Sequence, residues 1–200
     1  MCYPLWKRAF DIIGSSLGLL VLLPFVPLIA LAIKLDSPGP VLEKLRRVSD
    51  GRVVRVYKFR SMIKGAQELK SQLVHLNERK DGPLFKIKHD PRVTRVGRVI
   101  RRLRVDEAPQ LVNVLKGELA LVGPRPREPE EAEQYPADYK KIINFRNGVT
   151  GLSQVNGASS LPFLKELELD KYYVENFSFW LDLKIFLKTI AILFFDPTAV

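Results

Sequence analysis

Cysteine is almost absent: Cys2 is the only one in 200 residues, and there are just two histidines, His75 and His89. A single thiol cannot close an internal disulfide, and no cysteine or histidine stands at metal-ligand spacing from another, which excludes a disulfide scaffold and a structural zinc site. Internal repeats and flexible linkers are missing as well, leaving one compact domain as the default organisation. Negative charge is scarce, with 22 acidic residues against 32 basic ones and a net charge of +10. That balance points to anionic partners, whether nucleic acid, an anionic membrane surface or phosphorylated small molecules, without choosing among them. Apolar residues are not scarce: they make up 46% of the chain against 27% charged, the composition of a folded protein with a real core.

Residues 12–33 read IIGSSLGLLVLLPFVPLIALAI without a charge. As a helix this stretch is about 33 Å long, enough to span a bilayer. Yet Lys7 and Arg8 precede it and Lys34, Lys44, Arg46 and Arg47 follow it, so the preference of basic flanks for the cytoplasm draws both ends to one side. Pro24 and Pro27 sit near its middle, where each removes a backbone donor and favours a bend. A re-entrant hairpin dipping into one leaflet and a kinked single span both satisfy this pattern. No small-residue cleavage site follows, which argues against a signal peptide. Residues 177–195, FSFWLDLKIFLKTIAILFF, set Asp182, Lys184 and Lys188 among aromatic and aliphatic residues, as in a helix at a membrane interface or one packed in the core.

Between these segments the spacing predicts a strand over 52–59, RVVRVYKF, rich in β-branched residues. A helix over 62–79 is expected to bury Met62, Ala66, Leu69, Leu73 and Leu76, and a short strand is expected at 84–88. Residues 94–104 predict an amphipathic helix with Val96, Val99, Ile100 and Leu103 inward and Arg95, Arg98, Arg101 and Arg102 outward. Residues 127–140 look like an acidic surface segment serving solubility, and 146–157, RNGVTGLSQVNG, like a backbone-rich loop able to cradle phosphate. The fold class expected is α+β, mostly helical, with a small sheet. The divisions are a membrane hairpin and anchor at 1–35, a catalytic region at 36–176 and an interfacial helix at 177–200.

Asp106 and Glu107 follow directly on an arginine run and precede the short apolar helix QLVNVLK, with Pro109 in its first turn. An aspartate is already ionised at neutral pH and serves as a nucleophile without a base, as in aspartyl-phosphate enzymes. Adjacent arginines would keep it ionised and bind the phosphate under attack, and Glu107 could help hold Mg²⁺. The same pair also reads as a helix N-cap with a first-turn glutamate, and on local sequence alone that structural reading is the stronger.

The wider pattern resembles the monotopic phosphoglycosyl transferases, bacterial sugar transferases that begin exopolysaccharide, O-antigen and glycoprotein glycan assembly. The resemblance runs through KRAFD at 7–11, SPGPV at 37–41, YKFRSM at 57–62, the long stretch from RVTRVGRV to LVGPRP, GVTGLSQVNG and the aromatic C-terminal segment, nearly the whole chain in order. It implies that Asp106 attacks the β-phosphate of a UDP-sugar, releases UMP and holds the sugar phosphate covalently until undecaprenyl phosphate takes it. Glu107 completes the dyad and joins Asp106 in assisting Mg²⁺. Arg101, Lys58 and Arg60 match phosphate- and site-proximal cations, Pro124, Arg125 and Pro126 the turn associated with the uridine nucleotide, and Gln154 a donor-side position. The resemblance also favours the hairpin around Pro24 and Pro27, and places the chain as a minimal catalytic unit on the inner leaflet of the bacterial cytoplasmic membrane. No nucleic-acid partner is expected, and a homodimer is compatible with the sequence.

Several positions depart from the family pattern. Leu23 precedes Pro24 where serine is usual, Arg104 and Ala108 replace serine and leucine beside the dyad, Asn147 replaces proline, and Ala158 stands where arginine is frequent. A reading from another class is a non-enzymatic, membrane-tethered basic module that binds anionic lipid or nucleic acid through Arg95, Arg98 and Arg102 and is indifferent to Asp106.

Overall fold

The structure, a computed structural model, describes residues 3–157 and 160–195; Cys2 and Ala158 lie outside the described residues. The apolar N-terminal stretch forms helix α1, Leu5–Leu22, a 3₁₀ turn over Leu23–Phe25, and helix α2, Val26–Asp36. The run Leu5–Asp36 is long and apolar enough to cross a membrane. Pro24 and Pro27 cannot donate backbone hydrogen bonds, and the chain accommodates them by tightening. Leu23, Phe25 and Val26 keep right-handed helical φ of −52°, −89° and −55°, so the interruption is one 3₁₀ turn. Leu17, Leu20, Val21, Leu23, Leu28 and Leu31 are each more than half exposed.

Both ends of this run are fastened to the same globular body. Near the start of α1, Lys7 is fully buried, donates to the carbonyl of Val122 at 2.9 Å and to the Tyr173 hydroxyl at 3.0 Å, and pairs with the equally buried Asp182. At the other end, Asp36 accepts the Val96 N–H at 2.9 Å.

Strands β1, Leu42–Ser49, and β2, Arg52–Phe59, form an antiparallel hairpin in which Leu42 pairs with Phe59 and Ser49 with Arg52. Asp50 and Gly51 connect them with φ of 56° and 71°, the two positive values that a type I′ turn requires. The sequence pattern finds β2 and misses β1, although the Asp-Gly pair is the signal that finds it. Residues 62–79 form a 3₁₀ helix over Glu68–Leu76 in place of the expected α-helix. Of the anticipated apolar stripe only Ala66 is buried, and Leu76 is 42% exposed. At three residues per turn Leu73 and Leu76 align on one edge and do not share a broad core face. Residues 84–88 form no strand; the Asn77 amide braces them, accepting the Lys86 N–H and donating to the Leu84 carbonyl.

Helix α3, Arg95–Arg102, begins at Thr94, whose hydroxyl accepts the Gly97 N–H at 2.9 Å. Its inward face is narrower than expected: Ile100 is buried, while Val99 and Leu103 are 56% and 50% exposed. Ile100 packs with Ile33 of α2 and Phe59 of β2, and Val105 lies against the same cluster. Next come α4, Gln110–Lys116, β3, Ala120–Val122, α5, Pro129–Glu133, and β4, Gly148–Thr150. Strand β4 pairs in parallel with β3. Helices α6, Leu152–Val155, α7, Phe163–Asn176, and α8, Phe179–Phe195, complete the order. The main core gathers Val54, Val56, Val114, Leu119, Val122, Tyr173 and Ile185.

Two segments are more deeply built in than their composition suggests. In 127–140, Arg127, Ala132 and Tyr135 are buried, and Tyr135 shares a second core with Leu84, Phe163 and Leu167. In 146–157, the expected open loop is β4 and α6, with Thr150, Ser153 and Gln154 buried. Asn147 donates to the Val48 carbonyl at 2.7 Å and its N–H goes to the Ser49 hydroxyl, a link to β1 that proline could not make. In α8, Asp182 and Ile185 face the core while Trp180 is 75% exposed. Asp182 therefore belongs to the packed-core alternative, not to a polar face in water.

Candidate active site

Alternation along β2 puts Val54, Val56 and Lys58 on one face, the two valines in the main core and Lys58 at its rim, and turns Phe59 to the other face against Ile33 and Ile100. The strand is held to α4 by buried Asn113, whose Oδ1 accepts the Tyr57 N–H at 2.9 Å and whose Nδ2 donates to the Arg55 carbonyl at 2.8 Å. Asp106 and Glu107 occupy a 3₁₀ turn, Val105–Glu107, directly ahead of α4, so the same clamp fixes them relative to Lys58. The chain enters that turn through Arg104 at φ 56°, a left-handed conformation costing a non-glycine residue about 1–2 kcal/mol. Strain of this kind persists where the surroundings over-determine it, which is typical of functional sites.

The Lys58 ammonium lies 2.9 Å from Asp106 Oδ2 and 3.1 Å from Glu107 Oε1, bridging two neighbouring carboxylates. Asp106 is buried, 4% exposed. Arg125 approaches Glu107 Oε1 at 3.8 Å. Burial pushes the Glu107 carboxyl up, but the charges of Lys58 and then Arg125, the Lys58 hydrogen bond and the Arg104 charge outweigh it and hold the group at about 2. Glu107 is therefore a carboxylate at any physiological pH.

Arg125 also lines a cavity of about 780 Å³, whose walls include residues 84–91 with Arg98, Arg101 and Arg127. Arg125 links Glu107 to this cavity, whose wall Arg101 shares. Arg101 is steadied by donating from Nε to the Ser61 hydroxyl at 2.8 Å. The close seating of α3 on Ser61 depends on Gly97, where a Cβ would stand 2.0 Å from the Ser61 carbonyl oxygen. A pair of carboxylates, a lysine bridging them and arginines lining a cavity suit chemistry on a phosphorylated donor.

A family profile described as "Bacterial sugar transferase" matches residues 2–196. The chain belongs to the bacterial sugar transferase family. Among its relatives, the UDP-galactose-lipid carrier transferase of Erwinia amylovora is 36% identical over 189 residues, covering 93% of this chain and 40% of that protein. The undecaprenyl-phosphate glucose phosphotransferase of Komagataeibacter xylinus is 42% identical over 200 residues, covering 92% and 35%. The exopolysaccharide production protein PSS of Rhizobium leguminosarum bv. phaseoli is 40% identical over 197 residues, covering 92% and 93%. The chain thus spans about two fifths or less of the first two relatives and nearly all of the third.

In this sugar transferase the structure gathers Asp106, Glu107, Lys58 and Arg125, while Arg101 lines the cavity that Arg125 also lines. It does not gather Arg60 or Gln154. Arg60, 1% exposed, turns away from the pair and donates to the carbonyls of Ile33 at 3.1 Å, Ser37 and Pro40, so it caps the C-terminal end of α2. Gln154 donates inward to the Val149 carbonyl. Pro124 is buried and its carbonyl accepts the Gly148 N–H, while Pro126 completes the turn that carries Arg125. Pro24 lies in the 3₁₀ turn and Pro27 in the first turn of α2, both distant from this chemistry in sequence. Sequence reasoning missed Ser61 and Asn113. Ser61 lies inside YKFRSM and could have been found; Asn113 is one polar residue in an apolar helix, a buried asparagine whose partners only tertiary structure reveals.

Proposed function

We propose that this sugar transferase moves a sugar 1-phosphate from a UDP-sugar to undecaprenyl phosphate with release of UMP, at the inner leaflet of the bacterial cytoplasmic membrane, initiating glycoconjugate assembly. The observation that carries the reading is the Lys58 ammonium bridging Asp106 and Glu107, with Arg125 joining Glu107 to a cavity that Arg101 also lines. Names of relatives, a UDP-galactose-lipid carrier transferase and an undecaprenyl-phosphate phosphotransferase, support the substrate classes.

In the first step an Asp106 carboxylate oxygen forms a bond to the β-phosphorus, the bond from that phosphorus to the bridging oxygen breaks, and UMP departs with the electron pair. Lys58 neutralises charge at the attacking carboxylate, and Arg101 and Arg125 bind phosphate oxygens on the cavity side, preorganised donors in a site partly withdrawn from water. In the second step a phosphate oxygen of undecaprenyl phosphate attacks the same phosphorus and the Asp106 carboxylate leaves, restored. Glu107, ionised throughout, holds Lys58 in place. Asp106 and Glu107 are two hard oxygen donors side by side, the kind of set that binds Mg²⁺ together with substrate phosphates. Bound there, Mg²⁺ supplies charge neutralisation for the diphosphate and the leaving UMP.

The membrane reading rests on the exposed apolar surface of α1 and α2 and on the anchoring of both their ends. Lys7 at one end and Asp36 at the other hold the same globular body, so neither end is free to sit across a bilayer from it. That arrangement supports re-entrant insertion into one leaflet, which brings a water-borne nucleotide donor and a lipid acceptor to one surface.

The deciding experiment is UMP release by detergent-extracted protein supplied with Mg²⁺, undecaprenyl phosphate and a panel of UDP-sugars, comparing wild type with Asp106→Asn. Release from one donor, abolished by the substitution, is the expected result. Equal release from both proteins removes Asp106 as nucleophile.

A further inference from the structure

The Pro124-Arg125-Pro126 turn and the GVTGLSQVNG stretch meet on an element that belongs to neither, the middle of α7. There Asp170, 1% exposed, accepts the Ser153 hydroxyl at 2.7 Å and the backbone N–H of Arg125. One turn earlier Glu166, also 1% exposed, takes the guanidinium of Arg127 and that of Arg79, the latter at 2.6 Å. The turn is thus held from below through the Arg125 backbone and the Arg127 side chain. The Arg125 side chain lies 3.8 Å from Glu107 and lines the same cavity as Arg127 and Glu166.

A buried carboxylate is an expensive device for holding a turn. Burial pushes the Asp170 carboxyl up to about 6, against the pull of the Ser153 hydroxyl, the Arg127 charge and the Arg125 N–H. Facing it are Ser153 from α6, Arg125 and Arg127 from the turn, Tyr135 from the segment after α5, and Glu166 on α7 itself. A neutral side chain would fold at lower cost, so the charge is retained for what it holds.

We propose that Asp170 is a positioning residue for the transfer reaction: its carboxylate pins the Pro-Arg-Pro turn to α6 and so aims Arg125 at Glu107 and the donor phosphates. The inference rests on the transferase reading above. When Asp170 is ionised the N–H bond is charge-assisted and the turn is pinned; when it is protonated that assistance is lost and Arg125 is released. The sign for stability is opposite to the sign for activity. Because the folded group titrates above its ordinary value, its contribution to stability is fully present below pH 4 and is lost as pH rises through about 6.

The test compares wild type with the near-isosteric Asp170→Asn in UMP release between pH 5 and 8, alongside thermal melts. Wild-type kcat is expected to fall below about pH 6, and the variant to lack that limb. At pH 8 the variant's kcat is expected to be about tenfold lower, the loss of one charge-assisted hydrogen bond, with Tm unchanged or higher. Ser153→Ala, which removes a partner of the ionised form, moves the acid limb to higher pH. A variant that keeps the wild-type limb, or in which kcat and Tm fall together, overturns the assignment. Hydrogen exchange at pH 7.5 reads the turn without turnover: Asp170→Asn speeds exchange across residues 123–127 and leaves 52–59 unchanged. If no donor yields UMP while the exchange changes as expected, the transferase reading fails and takes the catalytic half of this proposal with it. If UMP release is normal and exchange is unchanged, the pinning itself fails.

Discussion

In the proposed chemistry Lys58 is the pivotal residue, because it bridges both carboxylates. Two carboxylates adjacent in sequence and oriented to one point repel each other, and the bridging ammonium offsets that repulsion. Replacing Lys58 with Met is therefore expected to lower kcat for UMP release by about 10²–10³, the effect of removing one preorganised charge from a reacting centre. Glu107 makes a separate prediction. Its folded carboxyl is held below its ordinary value, so its contribution to stability is present above pH 4.5 and is lost only as pH falls toward about 2. An acid limb near pH 6 in the rate profile thus cannot come from Glu107, and the Glu107→Gln variant should retain it. Arg60 differs in kind: buried against the carbonyls at the end of α2, it touches no group of the site. Arg60→Gln should lower Tm by several degrees, from loss of buried charge-assisted bonds worth about 1.5–3 kcal/mol each, and leave KM for the UDP-sugar unchanged. A rise in KM with an unchanged Tm would restore Arg60 to the donor site.

Among the elements, α3 couples packing to function most tightly. Gly97→Ala drives a methyl group to 2.0 Å from the Ser61 carbonyl oxygen, a backbone atom that cannot swing aside, so α3 must lift from β2 and carry Arg101 with it. Loss of most UMP release together with a lowered Tm is expected, whereas the exposed Val99→Ala on the same helix should change neither measurably. The elements were legible in proportion to how far their cues are local. Strand β2 is announced by its β-branched run and α3 by its arginine-rich amphipathic spacing, and Asp106-Glu107 with Arg101 by the motif order along the chain, whereas β1 went unread although Asp50-Gly51 is its cue. The 3₁₀ helix at Glu68–Leu76 was not legible, because apolar spacing at 62–79 fits an α-helix as well and only the surrounding structure decides which residues find a core. Strand β4 was hidden for a different reason: in its register a Cβ at Gly148 would stand 2.1 Å from the Gly123 nitrogen, so composition presents as a loop what contact demands as a strand. Gln154 and Arg60 read as site residues because they sit inside site-bearing motifs, and motif membership carries no direction for a side chain.

For the molecule as a whole, the buried Lys7–Asp182 pair joins the first helix to the last, with Tyr173 and the Val122 carbonyl completing the set of partners. Breaking one side leaves a buried charge without its counterion. Lys7→Met is accordingly expected to destabilise the fold by about 3–5 kcal/mol, lowering Tm by roughly 10 °C. The double variant Lys7→Met, Asp182→Leu should recover much of that loss. An equal Tm for single and double variants would show that the pair's geometry, not its charge, is what the fold requires.

Lys7 and Asp182 lie 175 positions apart, and the ribosome delivers them in that order. At about 5–20 residues per second, the N-terminal lysine waits on the order of 10–35 seconds for its counterion. During that interval it is an ordinary cation beside an emerging apolar helix, one of the charges that keep the flank of such a helix in the cytoplasm. Once α8 docks, the same charge disappears into the core. One side chain thus serves first as an exposed flanking cation and then as a bolt, and shortening the chain before Asp182 should yield a protein whose first helix never closes onto the core.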